Sequence, residues 1–484
     1  MRFIKDALYV IAFYLTCIIN TSIVTGIFPT SWKPALVVPI LKTGDFDDPN
    51  NFRPISLLPI ISKILEKIVT NKLMLFLESS QSLSNTQHGF RPRLSTETAL
   101  TVISNKIFSN MNSKKITLLT LCDLSKAFDS VSHNILLKKC SALKIDVFWF
   151  KNYIENRAQS VRLNNTTSNK LSVAYGVPQG SILGRVLFSI YVNDLNECKN
   201  ECSLTQYADD TKFLHANTVN NLEALISRTE ETLHNVKQYF LRNGLMLNSK
   251  ERKKTQCIFI GNRQLLSQIP PNTRIDFDGD IIYPSVYVKN LGVYIDNYML
   301  FDVHIDELTK KVMGTLMFIS RISQNFDKLT RILAVQSLVL TLINYCNVIW
   351  GTTDETLLHK VQKMQKSAAK LAVGCCRKYD HVTPVIKELK WLKIKEKHTL
   401  DKCTTVYKAV NNCYPDWYLK FPKVRENATS NTRQINNLYV PRVRTDCGAR
   451  AITTLGPKLW NTLPTSVINS ESLHVFKSKF SKFL

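Results

Sequence analysis

The hydrophobic pattern of this chain switches between short apolar runs and stretches with helical spacing. The run Ile116–Cys122 is apolar and β-prone, which predicts a buried strand. The stretches 203–207 and 211–215 are also strand-prone and predict the two arms of a hairpin. Between Ile61 and Leu77, apolar residues follow the period of a helix. This alternation over the first 300 residues predicts an α+β fold in which helices back an antiparallel sheet.

The rest of the pattern completes this outline. Further strands are predicted at 35–41, 161–163, 170–174 and 256–260, and further helices at 95–110, 131–143, 183–193 and 222–243. Ser95, Thr96 and Glu97 are expected to cap the helix at 95–110. Beyond residue 300 the pattern becomes mostly helical, with helices predicted at 302–322, 329–350 and 355–372. From 380 to 484 prolines recur and the pattern is looser.

The N-terminal region holds an apolar run from Ala7 to Ile19, interrupted by Thr16 and preceded by Arg2 and Lys5. Such a run is typical of a signal peptide or a short membrane segment. Polar residues 20–22 end it too early to span a bilayer comfortably, and no A-x-A cleavage pattern follows. We therefore expect a buried helix that packs on the first domain, with no stable membrane insertion. A membrane-anchored protein held by residues 7–24 is the alternative.

Composition narrows the class of partner. The chain has 484 residues and a formal net charge of +25, so the expected partner is a polyanion, with nucleic acid first and an anionic membrane surface second. Its 12 cysteines are scattered without paired C-x2-C spacing, which argues against a zinc site or a disulfide framework. Reduced thiols indicate an intracellular protein, in the nucleus or the cytoplasm, with no clear targeting signal.

Three carboxylates stand at positions that suggest chemistry. Asp123 follows the predicted buried strand, and Asp209 and Asp210 fall at the tip of the predicted hairpin. An Asp-Asp pair in a turn is commonly just solvated, because aspartate favours turns. Buried together, however, three carboxylates would repel one another unless divalent cations relieved the repulsion. Mg²⁺ suits such a set, and two ions can clamp the reacting oxygens of a phosphoryl displacement.

Seven sequence blocks then follow one another in a recognisable order. They are Asn51–Leu57, Gln87–Arg91, Asp123–Asp129, Gly176–Ser181, Tyr207–Asp210, Leu247–Asn248 with Lys254, and Asn290–Val293. This series closely resembles the reverse transcriptase of non-LTR retrotransposons of the jockey-like kind. The resemblance covers about residues 30–300, and extends more weakly through Tyr345–Gly351 and Gly456–Asn461.

The resemblance implies a right-hand polymerase with fingers, palm and thumb and an antiparallel palm sheet. It divides the chain into an N-terminal helical segment (1–30), fingers and palm (31–300), a helical thumb (301–380) and a basic C-terminal region of unknown role (381–484). The implied activity is RNA-directed DNA polymerisation, in which a DNA primer is extended on an RNA template with dNTPs and two Mg²⁺ ions, or Mn²⁺ in their place.

The resemblance also assigns roles to single residues. Catalysis falls to Asp123, Asp209, Asp210 and Lys254, and metal binding to the three carboxylates and the carbonyl of Leu124. Lys250 is the alternative to Lys254 if the register differs. Substrate contacts are implied for Arg53, Gln179, Gly180 and Tyr207, and for Phe128 as a gate against the 2′-hydroxyl. Leu291 and Gly292 would grip the primer. Asp129 receives no role beyond helix capping.

The chain departs from the family pattern in two places. Arg185 stands where the family usually has proline, and the segment Leu247–Thr255 is a few residues longer than usual. These departures leave open a decayed retrotransposon fragment that only binds nucleic acid. Related elements usually carry an endonuclease upstream, whereas this sequence begins almost at the fingers. We therefore expect a truncated copy that depends on a separate endonuclease.

Overall fold

The structure is a computed structural model of the chain, and it describes residues 6–42, 44–247, 255–374, 382–424 and 437–484. By proximity the chain divides into two compact units that alternate along the sequence. Unit 1 comprises residues 1–91, 122–211 and 230–255, and unit 2 comprises 92–121, 212–229 and 256–484. The predicted functional boundaries at residues 30, 300 and 380 remain predictions, because this division rests on proximity alone.

Seven strands lie at or near the predicted positions 35–41, 116–122, 161–163, 170–174, 203–207, 211–215 and 256–260, and the other eight that the structure describes were not predicted. In chain order the strands are β1 (Ala35–Leu41), β2 (Phe52–Leu57), β3 (Ile116–Cys122), β4 (Leu124–Ser125), β5 (Arg157–Leu163), β6 (Thr166–Thr167), β7 (Leu171–Val173), β8 (Ser203–Tyr207), β9 (Asp210–Asn217), β10 (Met246–Leu247), β11 (Gln256–Ile260), β12 (Ile275–Phe277), β13 (Asp280–Ile282), β14 (Tyr287–Asn290) and β15 (Val293–Asp296).

The helices are the larger part of the fold. In chain order they are α1 (Leu8–Thr25), α2 (Ile60–Ser79), α3 (Thr96–Asn112), α4 (His133–Ala142), α5 (Val147–Ile154), α6 (Leu183–Tyr191), α7 (Leu222–Arg242), α8 (Arg263–Leu266), α9 (Asp302–Ile322), α10 (Lys328–Val335), α11 (Thr341–Asn344), α12 (Asn347–Trp350), α13 (Glu355–Val373), α14 (Thr383–Glu388), α15 (Ile394–Val410), α16 (Asp446–Ala449), α17 (Ile452–Trp460), α18 (Thr465–Ile468) and α19 (Leu473–Phe483). Mixed helices and antiparallel pairs confirm the α+β class.

Two sheets position the site. In unit 1, β2, β1, β5 and β6 lie side by side and β7 also pairs with β5. Within this sheet β1 is antiparallel to β2 and, unexpectedly, parallel to β5, with Ala35 opposite Gln159. The second sheet has the strand order β11-β3-β9-β8. All seven residues of β3 are buried, which matches the continuous apolar run that predicted it.

Helix α3 shows how local sequence determines where an element begins. The Thr98 amide donates to the Ser95 hydroxyl at 3.4 Å, and the Ser95 amide donates to the Thr98 hydroxyl at 2.9 Å. This reciprocal pair is a capping box. Ser95 therefore caps the helix as predicted, but its partner is Thr98, three residues on.

The single helix predicted for 329–350 was wrong. Helix α10 passes into a π-helical segment, Gln336–Leu340, and then into the short α11. Tyr345 is extended and Cys346 has a φ of 52°, so the chain leaves the helical path before α12 begins. Left-handed backbone is rare for residues other than glycine, and apolar periodicity carries no signal for it.

The expectation of a buried N-terminal helix was wrong for most of α1. Tyr9 is 97% exposed, and Val10, Phe13 and Tyr14 are also largely exposed. The later part of the helix packs against α5 within unit 1, where the Trp149 indole donates to the Ser22 hydroxyl at 3.2 Å. Among the described residues, no helix is both long enough and apolar enough to cross a membrane.

Unit 2 has its own large hydrophobic core. Buried side chains from α3, β3, β11, α9 and α13 join those of the β14–β15 hairpin in one cluster around Trp350. A second cluster joins α15, α17 and α19 through Tyr407, Trp460 and Phe476. Stacked rings of Tyr407 and Phe476, 4.6 Å apart, show that the C-terminal residues are packed despite their looser pattern.

Candidate active site around an acidic turn

The predicted acidic residues lie at the ends of neighbouring strands. Asp123 directly follows β3, Asp210 is the first residue of β9, and β9 is the neighbour of β3 in the sheet. Asp209 lies in the turn between β8 and β9. All three belong to unit 1 and are partly buried. Asp123 and Asp210 therefore belong to neighbouring strands, and the joint role of the three carboxylates stays a prediction.

The strand that follows Asp123 binds the segment predicted to carry the catalytic lysine. Leu124 pairs with Leu247 and Ser125 pairs with Met246 in an antiparallel ladder. Leu124 is buried. Lys250 and Lys254, the two lysines considered for catalysis, lie outside the described residues. The pairing places the start of their segment beside the first carboxylate.

Carboxylates and a backbone carbonyl are the hard oxygen donors that Mg²⁺ prefers, so the donor chemistry fits this ion. Within the described ranges, however, no group of three or more histidine, cysteine, aspartate or glutamate side chains is arranged to hold a metal ion. The metal assignment of Asp123, Leu124, Asp209 and Asp210 thus rests on their chemistry and on the strands that carry them.

The glycine-containing turn 176–181 contacts two of the other motif blocks. The Gly176 amide donates to the Val131 carbonyl and the Val177 amide to the Phe128 carbonyl, both at 2.8 Å. On the other side, the Ser56 amide donates to the Gln179 carbonyl at 2.7 Å. The structure therefore brings the blocks that contain Ser56, Phe128 and Gln179 into direct contact.

Two glycines of this turn are required by close backbone contacts. Gly176 has a φ of +88°, and a Cβ there would lie 2.8 Å from the Asp129 carbonyl oxygen. Gly180 has a φ of +133°, and a Cβ there would lie 2.4 Å from the Ser56 carbonyl oxygen. A side chain at either position would push the turn away from its neighbours.

Gln179 is oriented by Asp129, for which only a helix-capping role was predicted. Its Nε2 donates to Oδ2 of Asp129 at 2.8 Å. Desolvation raises the pKa of Asp129, while this hydrogen bond and the charges of Lys126 and Lys42 oppose the rise. Helix α4 begins later, after Ser132, so the capping role for Asp129 was wrong. The amide oxygen of Gln179 is left for other partners.

Glu66 is a second supporting residue that sequence reasoning missed. It lies on α2 with no exposed surface, where it accepts from the Ile182 amide at 2.7 Å and the Tyr153 hydroxyl at 3.1 Å. Burial raises the pKa of Glu66, while the hydrogen bonds from Ile182 and Tyr153 and the charge of Arg157 oppose the rise. The signal of Glu66 in the sequence is weak, because the buried face of α2 also carries the polar residues Ser62 and Thr70.

Phe128, the predicted 2′-hydroxyl gate, belongs to a row of aromatic rings. It stacks on Phe188 at 4.5 Å between centroids and meets Phe90 edge-on at 6.3 Å. Arg185 places its guanidinium 5.8 Å from the Phe90 ring centroid. The arginine that replaces the usual proline is exposed, and it covers the outer ring of this row instead of entering the core.

Three basic side chains near the N-terminal motif blocks, Lys42, Arg53 and Arg91, fall into two groups. Arg91 is buried and doubly paired with Glu78, with two nitrogen–oxygen distances of 2.8 Å, so its charge is used within the fold. Arg53 and Lys42 are exposed. Arg53 lies on β2 opposite Ile40 and forms no ion pair with the residues that the structure describes. Arg53 is therefore still available for a phosphate.

The predicted primer-gripping residues form a tight turn in unit 2. Leu291 has a φ of 45° and Gly292 one of +87°, between the paired residues Asn290 and Val293. The Tyr345 hydroxyl donates to the Leu291 carbonyl at 2.8 Å, and a Cβ on Gly292 would lie 3.2 Å from the Tyr345 ring. The block Tyr345–Gly351 thus supports this turn. Its weak resemblance to the reverse transcriptase family did not suggest this contact.

Comparison with known proteins shows the family of the chain. Residues 40–314 match the family described as reverse transcriptase (RNA-dependent DNA polymerase). In Drosophila melanogaster, the probable RNA-directed DNA polymerase from transposon BS is 27% identical over 398 residues, covering 79% of this chain and 43% of that protein. The RNA-directed DNA polymerase from mobile element jockey is 25% identical, with 79% and 42% covered.

Among solved structures, the apo telomerase of Candida tropicalis matches with a TM-score of 0.42 at 11% identity, over 80% of this chain and 67% of that one. The chain spans about two fifths of the length of the two Drosophila relatives. The family match covers more than half of the chain and contains each of the three acidic positions. The chain therefore belongs to the reverse transcriptase family.

Proposed function

We propose that the chain is an RNA-directed DNA polymerase of a jockey-like mobile element, which extends a DNA primer on an RNA template with dNTPs. The observation that carries the proposal is the position of the carboxylates: Asp123 and Asp210 lie at the ends of neighbouring strands, with Asp209 in the adjoining turn. The contacts among the blocks around Ser56, Phe128 and Gln179 support it.

Asp123 and Asp209 would hold the divalent ions, with Asp210 and the Leu124 carbonyl completing the set. When bound, Mg²⁺ or Mn²⁺ would supply charge neutralisation at the triphosphate and a lower pKa at the primer hydroxyl. Lys254 is proposed to donate a proton to the departing pyrophosphate.

The remaining residues would bind and orient the substrates. Gln179, held by Asp129 and followed by Gly180, would meet the incoming nucleotide, and exposed Arg53 would meet its phosphates. Tyr207 would lie near the primer end, and Leu291 and Gly292 would hold the primer strand. The charge of +25 supports binding of RNA and DNA backbones. A separate endonuclease and a site of action in the nucleus or cytoplasm belong to the same proposal.

Primer extension with purified protein on poly(rA)/oligo(dT) tests this function. We expect dTTP incorporation that requires Mg²⁺ or Mn²⁺ and stops when EDTA is added. The Asp209→Ala variant serves as the background. Incorporation by the unaltered chain no greater than by this variant would contradict the proposal.

A catalytically decayed protein that only binds nucleic acid is the second candidate, because Arg185 adds an exposed cation beside Phe90. This candidate predicts salt-dependent RNA binding without incorporation. If Arg185→Pro gains incorporation that the unaltered chain lacks, decay is the better description. Incorporation by the unaltered chain dismisses it.

The gate role of Phe128 leads to a prediction about sugar selection. Phe128→Val removes the ring that stacks on Phe188 and opens space where the 2′-hydroxyl would lie. We expect the preference for dTTP over UTP, measured as the ratio of kcat/KM values, to fall by roughly 10-fold or more. Phe128→Tyr keeps the ring and is the matched control. An unchanged ratio in Phe128→Val would remove the gate role.

The hydrogen bond between Asp129 and Gln179 leads to a second prediction. Asp129→Ala leaves the Gln179 amide free to rotate, so we expect the KM for dNTP to rise by about 3- to 10-fold, the range of one hydrogen bond. Asp129→Asn retains an acceptor oxygen and should rise less. Steady-state kinetics at saturating template–primer provides the measurement. Equal KM values in all three proteins would show that the bond does not orient Gln179 during synthesis.

A further inference from the structure

The side chain of Gln87 is attached to the backbone of the acidic turn. Gln87 is 1% exposed. Its Oε1 accepts from the Ala208 amide at 3.0 Å, and its Nε2 donates to the Ala208 carbonyl at 3.3 Å. One amide side chain thus pairs with both polar backbone groups of the residue that directly precedes Asp209. The same Oε1 also accepts from the Gly89 amide at 2.8 Å.

Ala208 needs such support for two reasons. It is buried and lies at a φ of 58°, a left-handed conformation that disfavours any residue with a Cβ. Its buried amide and carbonyl must also find partners, because unpaired backbone groups are costly away from water. Gln87 provides both partners from a position 121 residues earlier in the chain.

The segment around Gln87 is fixed beside β8. Gln87 forms a parallel bridge with Gln206, the Gln206 amide donates to the Thr86 carbonyl at 2.8 Å, and the His88 amide donates to the Gln206 carbonyl at 2.9 Å. Gly89 completes the contact, since a Cβ there would lie 2.4 Å from the Ala208 nitrogen. No other residue type fits at position 89 without moving the turn.

We propose that Gln87 and Gly89 are positioning residues that hold Ala208 in its left-handed conformation and so determine where the Asp209 carboxylate points. The catalytic part of this inference rests on the function proposed above for Asp209. The structural part depends only on the contacts between Gln87, Gly89 and Ala208. The two parts therefore have separate readouts.

The test replaces Gln87 by methionine, which has similar length and no hydrogen-bonding amide. We expect kcat for primer extension to fall by about 100-fold, the cost of a catalytic group misplaced by about 1 Å. The Kd for template–primer should remain unchanged, because no nucleic-acid contact is lost. The exchange of the Ala208 amide hydrogen with deuterium, followed by mass spectrometry of peptides around 203–211, should become faster.

Thr86→Val is the matched control. It removes the hydroxyl that donates to the Gln206 Oε1 at 3.1 Å, on the same bridge, without touching Ala208. We expect this variant to keep its kcat and its slow exchange at Ala208. If Gln87→Met and Thr86→Val behave alike in both measurements, the proposal is wrong.

A second pair of variants covers the case in which Gln87→Met folds poorly. Gln87→Glu keeps the oxygen that accepts from Ala208 and Gly89 but cannot donate to the Ala208 carbonyl unless protonated, so its kcat is expected between those of the unaltered chain and Gln87→Met. Glycine tolerates a positive φ without support. The factor by which either Gln87 variant lowers kcat should therefore be smaller in an Ala208→Gly background. An equal decrease of kcat in both backgrounds would count against the proposal.

These measurements also separate this inference from the proposed function. If the unaltered chain extends no primer but Gln87→Met accelerates exchange at Ala208 and Thr86→Val does not, the support of the turn stands while the polymerase proposal fails. If primers are extended and exchange at Ala208 does not respond to Gln87→Met, the inference fails while the polymerase stands.

Discussion

Replacing either Asp123 or Asp209 by alanine is expected to lower the rate of nucleotide incorporation by at least about 1,000-fold, equivalent to about 4 kcal/mol of transition-state stabilisation. The reason is that Asp123 follows β3 and Asp209 lies in the turn that leads into the neighbouring strand β9, so each carboxylate has its own place in the proposed metal site. Asp210→Ala is expected to lose less, because Asp210 completes the set less directly.

Single-turnover incorporation on a preformed template–primer complex measures this effect. Asp146→Asn is the matched control, since it removes a carboxylate of unit 1 while asparagine still caps α5. Template–primer affinity should be retained in every variant, because the basic surface is unchanged. An Asp209→Ala protein that keeps a tenth of the wild-type rate would rule out a metal-binding role for this residue.

Acid is expected to destabilise the fold well before the carboxylates are protonated. Burial lowers the pKa of His88 and His398 to about 3, and that of His215 and His304 to about 4, from an ordinary value of 6.5. Between those values and 6.5 the unfolded chain binds protons that the folded chain excludes. The free energy of unfolding therefore keeps its full value above about pH 7 and falls as the pH drops below 6.5.

The size of this effect follows from the number of sites. At pH 5.5 each histidine removes a little over about 1 kcal/mol, so the four together remove roughly 5 kcal/mol from the free energy of unfolding. That is a large share of the 5–15 kcal/mol typical of a folded protein. Urea unfolding at pH 7.5 and pH 5.5 measures the difference. Equal midpoints at both pH values would show that these imidazoles remain accessible to protons in the folded state.

His398 offers a control within the same experiment. It is 2% exposed, its ring meets Trp350 edge-on at 4.9 Å, and neither ring nitrogen has a hydrogen-bond partner among the described residues. His398→Phe keeps an aromatic ring and removes one titrating group. We expect its loss of stability between pH 7.5 and pH 5.5 to be about one quarter smaller than that of the unaltered chain.

The spacing of apolar residues predicted those strands and helices whose positions depend on nearby residues. The apolar run at Ile116–Cys122 became a strand buried at every position, and the amphipathic stretch Asp302–Ile322 became a helix with the predicted ends. The break at Tyr345 and Cys346 was missed, because a left-handed residue in an apolar stretch leaves the hydrophobic spacing intact. The exposed face of α1 was missed because hydrophobicity alone does not say which surface will be covered.

In the candidate site, too, features with a local sequence signal were predicted and features without one were not. Asp123, Asp209 and Asp210 were identified from the order of motifs along the chain. The residues that support the acidic turn and the glycine-containing turn were not identified. Gln87 contacts Ala208 across 121 positions, and Glu66 contacts Ile182 across 116. Hydrogen bonds over such separations have no local signature, and only the folded chain reveals them.

The alternation of the two units along the sequence has a consequence for how the protein is made. Unit 1 draws on a stretch that ends at residue 255, so residues 1–91 cannot complete their packing during synthesis until that later stretch has left the ribosome. In the meantime the apolar strands of that early stretch lack their later partners, as β1 does before β5 emerges. Slow translation or a shortage of chaperones would therefore favour aggregation of the nascent chain, and neither unit can be expressed as a continuous fragment.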